Sequence, residues 1–443
     1  MPLNIAIIGA GPIGCTLAHL ILKSPQSISV TIFERDASSD TRSQGGSLDL
    51  HDESGLLAIK KAGLYEKFLE HARFDGEAII VSDKRLKRYV NMGGSTKESN
   101  RGRPEIDRPQ LRKLLLDNLP EGVVKWGHHL QSITTPAGSS QPTDITLNFE
   151  HASLSGFDLI VGADGANSRI RPLVTNVQPH FSGVTAIRFG ISDVATRAPE
   201  LHSLVNWGSL FAISDHKALM AQQLGDGSLS VYAMLVPPSA DWLKTSPYDT
   251  NHMKVAKPAL LEEFKDWHPQ LKSIIENADH GLWASNLDML PVGTTWKHRP
   301  GVTLVGDAAH LMTPFAGEGV NLGLADTVSL ASAIESASSS STPSTSLSSA
   351  VKAYESGMFI RAKQCQDLSY RMMKCILFKP NAPEATIEEY AAGALETGCP
   401  SLLYPIAKLA INAYFLYFRA WHRFWNTEQT YDASLSEMPS KNE

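Results

Sequence analysis

The chain has 443 residues, enough for two or three domains around a large hydrophobic core. Its 42% hydrophobic and 19% charged residues are ordinary for a soluble globular protein, and its net charge of −6 argues against a nucleic-acid partner. The four cysteines are widely spaced and fit neither a metal-ligand pattern nor a disulfide framework, so reduced thiols and no metal site are expected.

The chain opens with a pattern of strand, glycine turn, helix and strand. An aliphatic run at residues 5–8 is typical of a strand buried on both faces, and it leads directly into Gly9-Ala10-Gly11-Pro12-Ile13-Gly14. Helical spacing of apolar residues covers 15–22, and a second strand at 29–33 ends on Glu34. The whole pattern is the arrangement of a dinucleotide-binding site.

Each glycine and the acidic residue of such a site has a physical role, and the residues of this stretch can perform all of these roles. Gly9 permits the tight turn, Gly11 lets the backbone approach a pyrophosphate, and Gly14 lets helix and strand pack closely. The helix N-terminus offers free N–H groups to the phosphates, and Glu34 can accept hydrogen bonds from ribose hydroxyls. An ordinary glycine turn is the alternative when the motif is considered alone.

A polar segment, residues 35–47, follows and includes Arg42 and the pair Gly45-Gly46, with Asp49 just beyond it. Glycine pairs let a backbone pass close to a bulky group, which here would be the sugar-phosphate chain of a dinucleotide. A solvated surface loop is the alternative. A helix is predicted next, over residues 53–62.

Two strands are predicted over residues 78–81 and 88–90, and a third helix over 110–119. Asp107 is placed to cap this helix and Pro109 to occupy its first turn. Arg108 and Arg112 lie one helical turn apart and indicate, as a lone pair, surface charge.

Further strands are predicted over 145–149 and 157–161, and the second leads into Asp164-Gly165. From about residue 180 to 298 period-two patterns dominate, interrupted by helical spacing at 251–277, which predicts an antiparallel sheet domain. No internal repeat is visible in the sequence.

An aliphatic strand at 301–305 then leads into Gly306-Asp307-Ala308-Ala309-His310 and a glycine-rich turn containing Gly317 and Gly319. A helix is predicted over 322–334, followed by a Ser/Thr-rich mobile loop and a long amphipathic helix, over residues 336–349 and 351–378 respectively.

Together the glycine turn at 9–14, Asp164-Gly165 and Gly306-Asp307 with its Ala-Ala-His continuation resemble the three fingerprints of the class A flavoprotein monooxygenases, the FAD-dependent aromatic hydroxylases. The resemblance covers about residues 4–380. It implies an α/β fold: a Rossmann-like FAD-binding domain with an inserted antiparallel-sheet substrate domain and C-terminal helices. The implied divisions are 1–178 and 299–335 for FAD, 179–298 for substrate, a loop at 336–349, and a helical region at 350–443.

Within that family, segments 45–51, 104–108 and 306–317 are most similar to those of the tetracycline-inactivating monooxygenases, the tetracycline destructases. By that resemblance Asp49, Arg108 and Asp307 contact FAD, and Arg42 lies where NADPH is contacted. The substrate residues depart from the pattern. A rough alignment puts Ser203 and Ser230 where those enzymes have a glutamine and a histidine, so the substrate stays open.

The physical roles of the later motifs can be argued separately. Asp307 follows a buried strand, where a ribityl hydroxyl could donate to it. Gly317 and Gly319 precede a helix whose N-terminus could face the flavin and favour negative charge on its reduced pyrimidine ring. Asp164 would lie between FAD and NADPH, cap a segment starting at Ala166, or do both.

The resemblance implies a monooxygenase that uses NADPH and O2. NADPH would reduce a tightly but noncovalently bound FAD, and the reduced flavin would form a C4a-hydroperoxide that oxygenates an electron-rich aromatic or enolic molecule, such as a polyketide, an alkaloid or a tetracycline-like secondary metabolite. No catalytic side chain is assigned, because the flavin carries the chemistry. A second dinucleotide motif is missing from the sequence, so NADPH is expected to bind transiently. The alternatives are an FAD oxidase or dehydrogenase of the same fold, and a flavin-holding module without turnover.

Residues 402–425 predict an amphipathic helix with one narrow polar stripe. The favoured interpretation is a helix packed across the flavin and substrate domains, and the alternative is a basic, aromatic-rich helix lying in a membrane interface. Since the first predicted strand starts at residue 4, no cleaved signal is expected ahead of it, and the sequence predicts a cytoplasmic protein of open oligomeric state.

Overall fold

The computed structural model describes residues 2–39, 45–74, 78–93, 103–136, 141–205, 207–339, 343–396 and 402–424. The strands are β1 (Leu3–Ile8), β2 (Ile28–Phe33), β3 (Ser47–Asp49), β4 (Ile79–Ser82), β5 (Arg88–Met92), β6 (Glu105–Asp107), β7 (Val124–Lys125), β8 (Leu130–Thr134), β9 (Thr146–Phe149), β10 (Ser153–Leu154), β11 (Leu159–Gly162), β12 (His180–Ile191), β13 (Ser209–Ser214), β14 (Lys217–Gln223), β15 (Leu229–Leu235), β16 (His280–Met289) and β17 (Val302–Leu304). The helices are α1 (Pro12–Leu22), α2 (Gly55–Ala62), α3 (Tyr65–Leu69), α4 (Arg108–Asp117), α5 (Val194–Arg197), α6 (Pro199–Val205), α7 (Trp242–Thr245), α8 (Met253–Glu263), α9 (Pro269–Glu276), α10 (Asp307–His310), α11 (Gly319–Ser338), α12 (Pro343–Met373), α13 (Ile387–Glu396) and α14 (Tyr404–Phe424).

A parallel sheet of five strands, in the order β17-β11-β1-β2-β7, lies at the centre of the first layer. Its strands are short and aliphatic because both faces are covered, and Ile5, Ile7 and Ile32 are fully buried. Helices α1 and α11 pack together beside it. The predicted α/β class and Rossmann-like arrangement are confirmed.

A second sheet has seven strands, in the order β16-β12-β15-β14-β13-β4-β5. All its pairs are antiparallel except β13 with β4, which run parallel. Strands β4 and β5 therefore belong to this sheet, although the sequence assigned all of residues 1–178 to the nucleotide-binding part. Strand periodicity reports which side chains are buried but not which sheet the backbone joins.

The two faces of the seven-stranded sheet have different partners. One face buries Ile187 and Phe189 against residues of α6, α8 and α9. The single helical stretch predicted at 251–277 is two helices, because the chain turns before Pro269 and the His268 side chain accepts a hydrogen bond from the Gln270 N–H. The other face buries Ala186 and Met234 against Phe315, which lies in a turn of the first layer.

The Ser/Thr-rich loop predicted at 336–349 is wrong over the described residues. Helix α11 continues to Ser338 and α12 already begins at Pro343. Ala337, Leu347 and Val351 are buried in the main core cluster. These few apolar residues supply the buried face of the helices, so the abundance of serine did not prevent helix formation.

Candidate functional site

The carboxyl ends of four parallel strands bring four predicted site residues to one edge of the central sheet. Gly9 follows β1, Glu34 follows β2, Asp164 lies two residues after β11, and Asp307 lies three residues after β17. Ligands of open α/β sheets bind outside this edge. Residues distant in sequence are thus collected by the parallel topology.

The glycine turn has the geometry that its sequence predicts. Gly9 has φ of +110°, and a Cβ there would lie 2.5 Å from the Ala163 carbonyl oxygen. A Cβ at Gly14 would lie 2.1 Å from the Gly9 carbonyl oxygen, so glycine is needed for close packing of helix on strand. At Gly11, in contrast, a Cβ would meet no protein atom within 4 Å. The space beside Gly11 is therefore open for a bound group.

Glu34 is buried beside this turn. Its Oε2 accepts from the Ala10 N–H at 2.7 Å, and its Oε1 accepts from the Asp36 N–H at 3.0 Å. Each oxygen retains a second lone pair, which is the capacity that ribose hydroxyls need.

Arg112 is not the surface charge that the sequence indicated. It is half-buried, its Nε donates to the Ala10 carbonyl oxygen at 3.2 Å, and its terminal nitrogen lies 3.3 Å from the Asp36 carboxylate. Arg112 therefore stabilises the glycine turn through the Ala10 carbonyl oxygen. The two residues are 102 positions apart in the chain, so no local sequence pattern could predict the contact.

Asp164 closes the turn that follows β11. Its Oδ2 accepts from the Arg169 N–H at 2.7 Å, while Oδ1 is buried with no hydrogen-bond partner among the described residues. Burial raises the pKa of this carboxyl against the opposing effect of its hydrogen bonds. The alternative of a helix cap at Ala166 is wrong, because this segment forms a turn rather than a helix.

Arg171, to which the sequence assigned no role, ties the Asp164 turn to the Asp307 turn. Its side chain donates to the carbonyl oxygens of Ala308 at 2.8 Å, Asp307 at 3.1 Å and Ala166 at 2.8 Å. Burial lowers the pKa of Arg171 in spite of the two nearby carboxylates. The Asp307 side chain itself is exposed, at the first residue of α10.

The N-terminus of α11 forms another border of the site. The helix begins at Gly319, three residues earlier than predicted, and no side chain caps it. Gly317 has φ of +70°, and Cβ atoms at Gly317 and Gly319 would meet no protein atom within 4 Å. The first-turn N–H groups, which no side chain caps, and the helix dipole thus favour negative charge in an open space.

Asn321 fixes this helix to the segment after β3. Its side chain donates to the Asp49 carbonyl oxygen at 2.9 Å and accepts from the His51 N–H at 2.9 Å, and it is fully buried. The Asp49 carboxylate lies 3.1 Å from His51 Nε2. Burial, the largest single effect, acts to raise the pKa of Asp49, but the hydrogen bond and charge of His51, with smaller contributions from the backbone and Arg103, together lower it. Sequence reasoning missed Asn321, although it lies in the glycine-rich motif.

Arg108 is exposed at the start of α4, and its backbone N–H donates to the Gly46 carbonyl oxygen at 3.0 Å. Asp107 is the N-cap residue, as predicted, but its side chain makes no cap hydrogen bond and instead accepts from the Gly225 N–H at 3.0 Å. Arg42 lies outside the described residues.

The Gly45-Gly46 pair passes close to the seven-stranded sheet. A Cβ at Gly45 would lie 1.7 Å from a terminal nitrogen of Arg188, and one at Gly46 would lie 3.4 Å from the Tyr232 hydroxyl oxygen. The bulky group that this glycine pair accommodates is therefore the Arg188 guanidinium, rather than only the sugar-phosphate chain expected from the sequence.

Arg188 belongs to a row of residues that crosses the inner face of this sheet. Backbone pairing places Arg188 beside Tyr232, Tyr232 beside Met220, and Met220 beside Phe211. The Arg188 guanidinium lies 6.0 Å from the Tyr232 ring centroid, and its Nε is buried without a partner among the described residues. The row is an aromatic and thioether wall with one cation.

The two serines aligned to substrate positions differ in placement. Ser230 lies two residues before Tyr232 on β15, on the same face, and its buried hydroxyl has no partner among the described residues. Ser203 is exposed on α6, whose apolar residues pack on the opposite face of the sheet. The alignment of Ser203 to the substrate site is therefore wrong.

These features suit a dinucleotide cofactor. The space at Gly11, Gly317 and Gly319 is open, and two helix N-termini lack side-chain caps. Acidic residues follow three of the strands along the same edge. Phosphates favour helix N-termini, and hydroxyls need acceptors such as Glu34 and Asp307.

The sequence family described as FAD binding domain matches residues 3–356. The monooxygenase asqM of Emericella nidulans is 32% identical over 438 residues, covering 86% of this chain and 97% of asqM. The monooxygenase penA of Penicillium thymicola is 34% identical over 410 residues, covering 83% of this chain and 94% of penA.

Two solved structures show a similar fold. A salicylate hydroxylase in complex with substrate has a TM-score of 0.71 at 20% identity, over 93% of this chain and 98% of the hydroxylase. The tetracycline destructase Tet(51) has a TM-score of 0.64 at 17% identity, over 89% of this chain and 96% of the destructase. At these identities the likeness concerns the fold alone.

Proposed function

The chain belongs to the FAD binding domain family, as an FAD-dependent monooxygenase, and from that premise we propose that it uses NADPH and O2 to hydroxylate an electron-rich aromatic or enolic small molecule. Its motif-based identification as a class A flavoprotein monooxygenase is confirmed. The finer parts of the proposal are the reductant, the chemical type of substrate and the residues that contact each.

One observation carries the proposal. The open edge of the parallel sheet and the uncapped start of α11 face the same region as the inner wall of the seven-stranded sheet, because Phe315 of the turn before Gly317 is buried with Ala186 and Met234 of that wall. A redox cofactor bound at the edge would thus adjoin a lined substrate space. The wall is apolar and aromatic apart from the Arg188 guanidinium and the nearby Ser230 hydroxyl. Such a wall fits a planar substrate with an oxyanion or carbonyl group.

The cofactor would be FAD, bound tightly and without a covalent link. Gly9, Gly11 and Gly14 would admit its pyrophosphate, Glu34 its ribose, Asp307 its ribityl chain, and Gly317 and Gly319 its ring. Asp49 and Arg108 flank the same region. When bound, FAD supplies electron transfer from NADPH and oxygen transfer to substrate.

The protein's own residues hold the turns of this site in place and set its electrostatic potential. The Arg112 and Arg171 side chains hold the turns around the cofactor at fixed positions through backbone carbonyl oxygens. The α11 N-terminus favours negative charge on the reduced ring. NADPH would bind transiently, with Arg42 at its phosphate and Asp164 between the two nucleotides.

The test is coupled turnover. Purified protein should be yellow and should release FAD on denaturation. A panel of phenols, aromatic alkaloids and enolic polyketides should include compounds that stimulate NADPH oxidation, with one hydroxylated product formed for each NADPH consumed.

Peroxide formed in place of product, with every active compound, would instead indicate an oxidase or dehydrogenase. Protein that takes up FAD but shows no compound-stimulated NADPH oxidation would indicate a module without turnover. Colourless protein that fails to take up added FAD would overturn the cofactor assignment itself.

A further inference from the structure

Helix α14 leaves a broad apolar face uncovered by the described part of the chain. Leu409 is 70% exposed, Leu416 65% and Tyr417 64%. At about 100° per residue, the exposed face is about 160° wide. Its members within the helix are Ile406, Leu409, Ala410, Ala413, Tyr414, Leu416, Tyr417 and Ala420. The expectation that this helix buries its apolar face within the protein therefore holds only for a narrow stripe and is wrong for the wider face.

A separate, narrow stripe attaches α14 to the protein. Phe415 is buried, and Ile411 and Phe418 pack against the same cluster. The Phe418 ring lies 5.8 Å from the ring of Tyr89, on edge strand β5. Arg419 forms an ion pair with Glu388 of α13. Because this stripe is already packed, the wide apolar face is directed away from the protein.

The charge on α14 is of one sign. Between Tyr404 and Phe424 the sequence has no Asp or Glu, but it has Lys408, Arg419 and Arg423, and the whole chain has a net charge of −6. On a helix Lys408 and Arg419 lie together along one border of the apolar face, where Arg419 pairs with Glu388 and Lys408 is exposed. The nearby acids are paired with bases: Glu384 lies 2.9 Å from Lys87, Glu396 lies 2.9 Å from Arg371, and Glu389 pairs with Lys379.

We propose that α14 is a membrane-surface helix, which lays its apolar face into the interface of a bilayer carrying anionic lipids. Among the described helices none is long and apolar enough to cross a membrane. A helix of 21 residues lying flat would span about 32 Å. Leu, Ile and Tyr on one face with a cationic border is the composition of interfacial helices.

A second copy of the chain is a poorer partner for this face. In a symmetric contact the same surface meets itself, so the exposed Lys408 of each copy would meet a helix that carries no acid to neutralise it. Anionic headgroups supply that missing charge. The proposal concerns a surface remote from the cofactor edge and does not depend on the cofactor or substrate.

The experiment is flotation of the full chain with lipid vesicles. One set of vesicles contains phosphatidylcholine with about 30% phosphatidylserine, which makes the surface strongly anionic. These vesicles should float with bound protein, and vesicles of pure phosphatidylcholine should bind a much smaller fraction of it. The double variant Leu409→Glu/Leu416→Glu should lose about tenfold or more of the bound fraction. The matched control is Val255→Glu/Ile360→Glu, which adds the same charge at exposed apolar residues of α8 and α12 and should bind like the unaltered chain.

The unaltered chain, the two double variants and the single variant Lys408→Gln are compared. Equal FAD content and equal circular dichroism in all four proteins would show that the variants are folded. Lys408→Gln should reduce binding to the anionic vesicles only. The proposal is overturned if the unaltered chain does not float, or if both double variants bind equally well. It is also overturned if the chain is a dimer that ignores vesicles and the α14 variant makes it a monomer, because the face would then be covered by a second copy.

Discussion

Gly11 differs from the other two glycines of its turn because a side chain at this position would meet none of the protein's own atoms. We expect Gly11→Val to change the stability of the FAD-free protein by no more than about 0.5 kcal/mol. It should nevertheless weaken FAD binding about tenfold or more, because the side chain would occupy the space of the pyrophosphate. Thermal unfolding of apoprotein and FAD titration by fluorescence measure the two effects.

Gly14→Val is the matched control for this prediction. Its side chain would collide with the Gly9 carbonyl oxygen, so it should destabilise the apoprotein by about 2 kcal/mol or more. If Gly11→Val retains full FAD occupancy, the pyrophosphate position is wrong.

Arg188 is the cation of the inner wall, and removing its charge should affect the substrate rather than the cofactor. We expect Arg188→Met to raise the KM for an acidic or enolic substrate about tenfold. A tenfold change corresponds to roughly 1.4 kcal/mol of binding free energy, about what one charge-assisted hydrogen bond contributes. FAD content should be unchanged. Steady-state kinetics with a stimulating compound measures this.

Lys217→Met is the control, since Lys217 bonds Glu263 of α8 on the outer face of the same sheet, with 3.0 Å between its Nζ and the carboxylate. An Arg188→Met enzyme with the KM of the unaltered enzyme would remove Arg188 from the substrate space.

At the scale of the element, the start of α11 is held in place by one side chain. Asn321→Leu keeps the volume but leaves the part-buried His51 N–H and Asp49 carbonyl oxygen without the partner that Asn321 provides. We expect a loss of about 2 kcal/mol in unfolding free energy, together with lower FAD occupancy. Urea unfolding and the flavin absorbance of the purified protein report the two quantities.

Asn148→Leu on β9 is the comparison, because among the described residues the Asn148 side chain bonds to side chains of the three-stranded sheet β10-β9-β8, remote from the site. It should leave FAD occupancy unchanged. Equal occupancy in both variants would mean that Asn321 supports the fold but not the site.

At the scale of the whole molecule, Glu105 joins the two layers. It lies 3.1 Å from Arg73 and 3.3 Å from the Gln222 side chain on the seven-stranded sheet. Burial raises the pKa of Glu105 from 4.5 to about 7, although Arg73 opposes this. Glu105 thus stays protonated in the fold at a pH where the unfolded chain is ionised.

The sign of the pH effect follows from this difference. The contribution of Glu105 to stability is full below pH 4.5 and is lost as the pH rises through about 7, because only the unfolded state releases the proton at first. Across this pH range, the loss in unfolding free energy from Glu105 amounts to roughly 3 kcal/mol. Unfolding free energies at several pH values should therefore fall less steeply with pH in Glu105→Gln. Glu200→Gln, at an exposed position on α6, should show the same dependence of unfolding free energy on pH as the unaltered chain. If Glu105→Gln also shows that unaltered dependence, the raised pKa of Glu105 is contradicted.

The cofactor-binding half of this protein was predictable from the sequence because its constraints are local. The turn at Gly9, Gly11 and Gly14 lies between a strand and a helix that are contiguous in the chain, and each glycine is required by backbone geometry or by an open space within a few residues. Strand ends followed by Glu34, Asp164 and Asp307 could be placed at one edge, because parallel strands share the direction of their carboxyl ends.

The tertiary structure alone decided what distant residues do. Arg112, Arg171 and Asn321 act on backbone groups that lie 102, 137 and 270 or more residues away, so no sequence window contains both partners. Strands β4 and β5 joined the second sheet through backbone pairing, which is blind to residue type. For α14, the sequence established an amphipathic helix, but only the packed stripe at Ile411, Phe415 and Phe418 decided which part of its apolar surface the protein covers. Amphipathicity specifies that an apolar face must be covered, whereas the shape of the surrounding chain determines whether the protein itself can cover it.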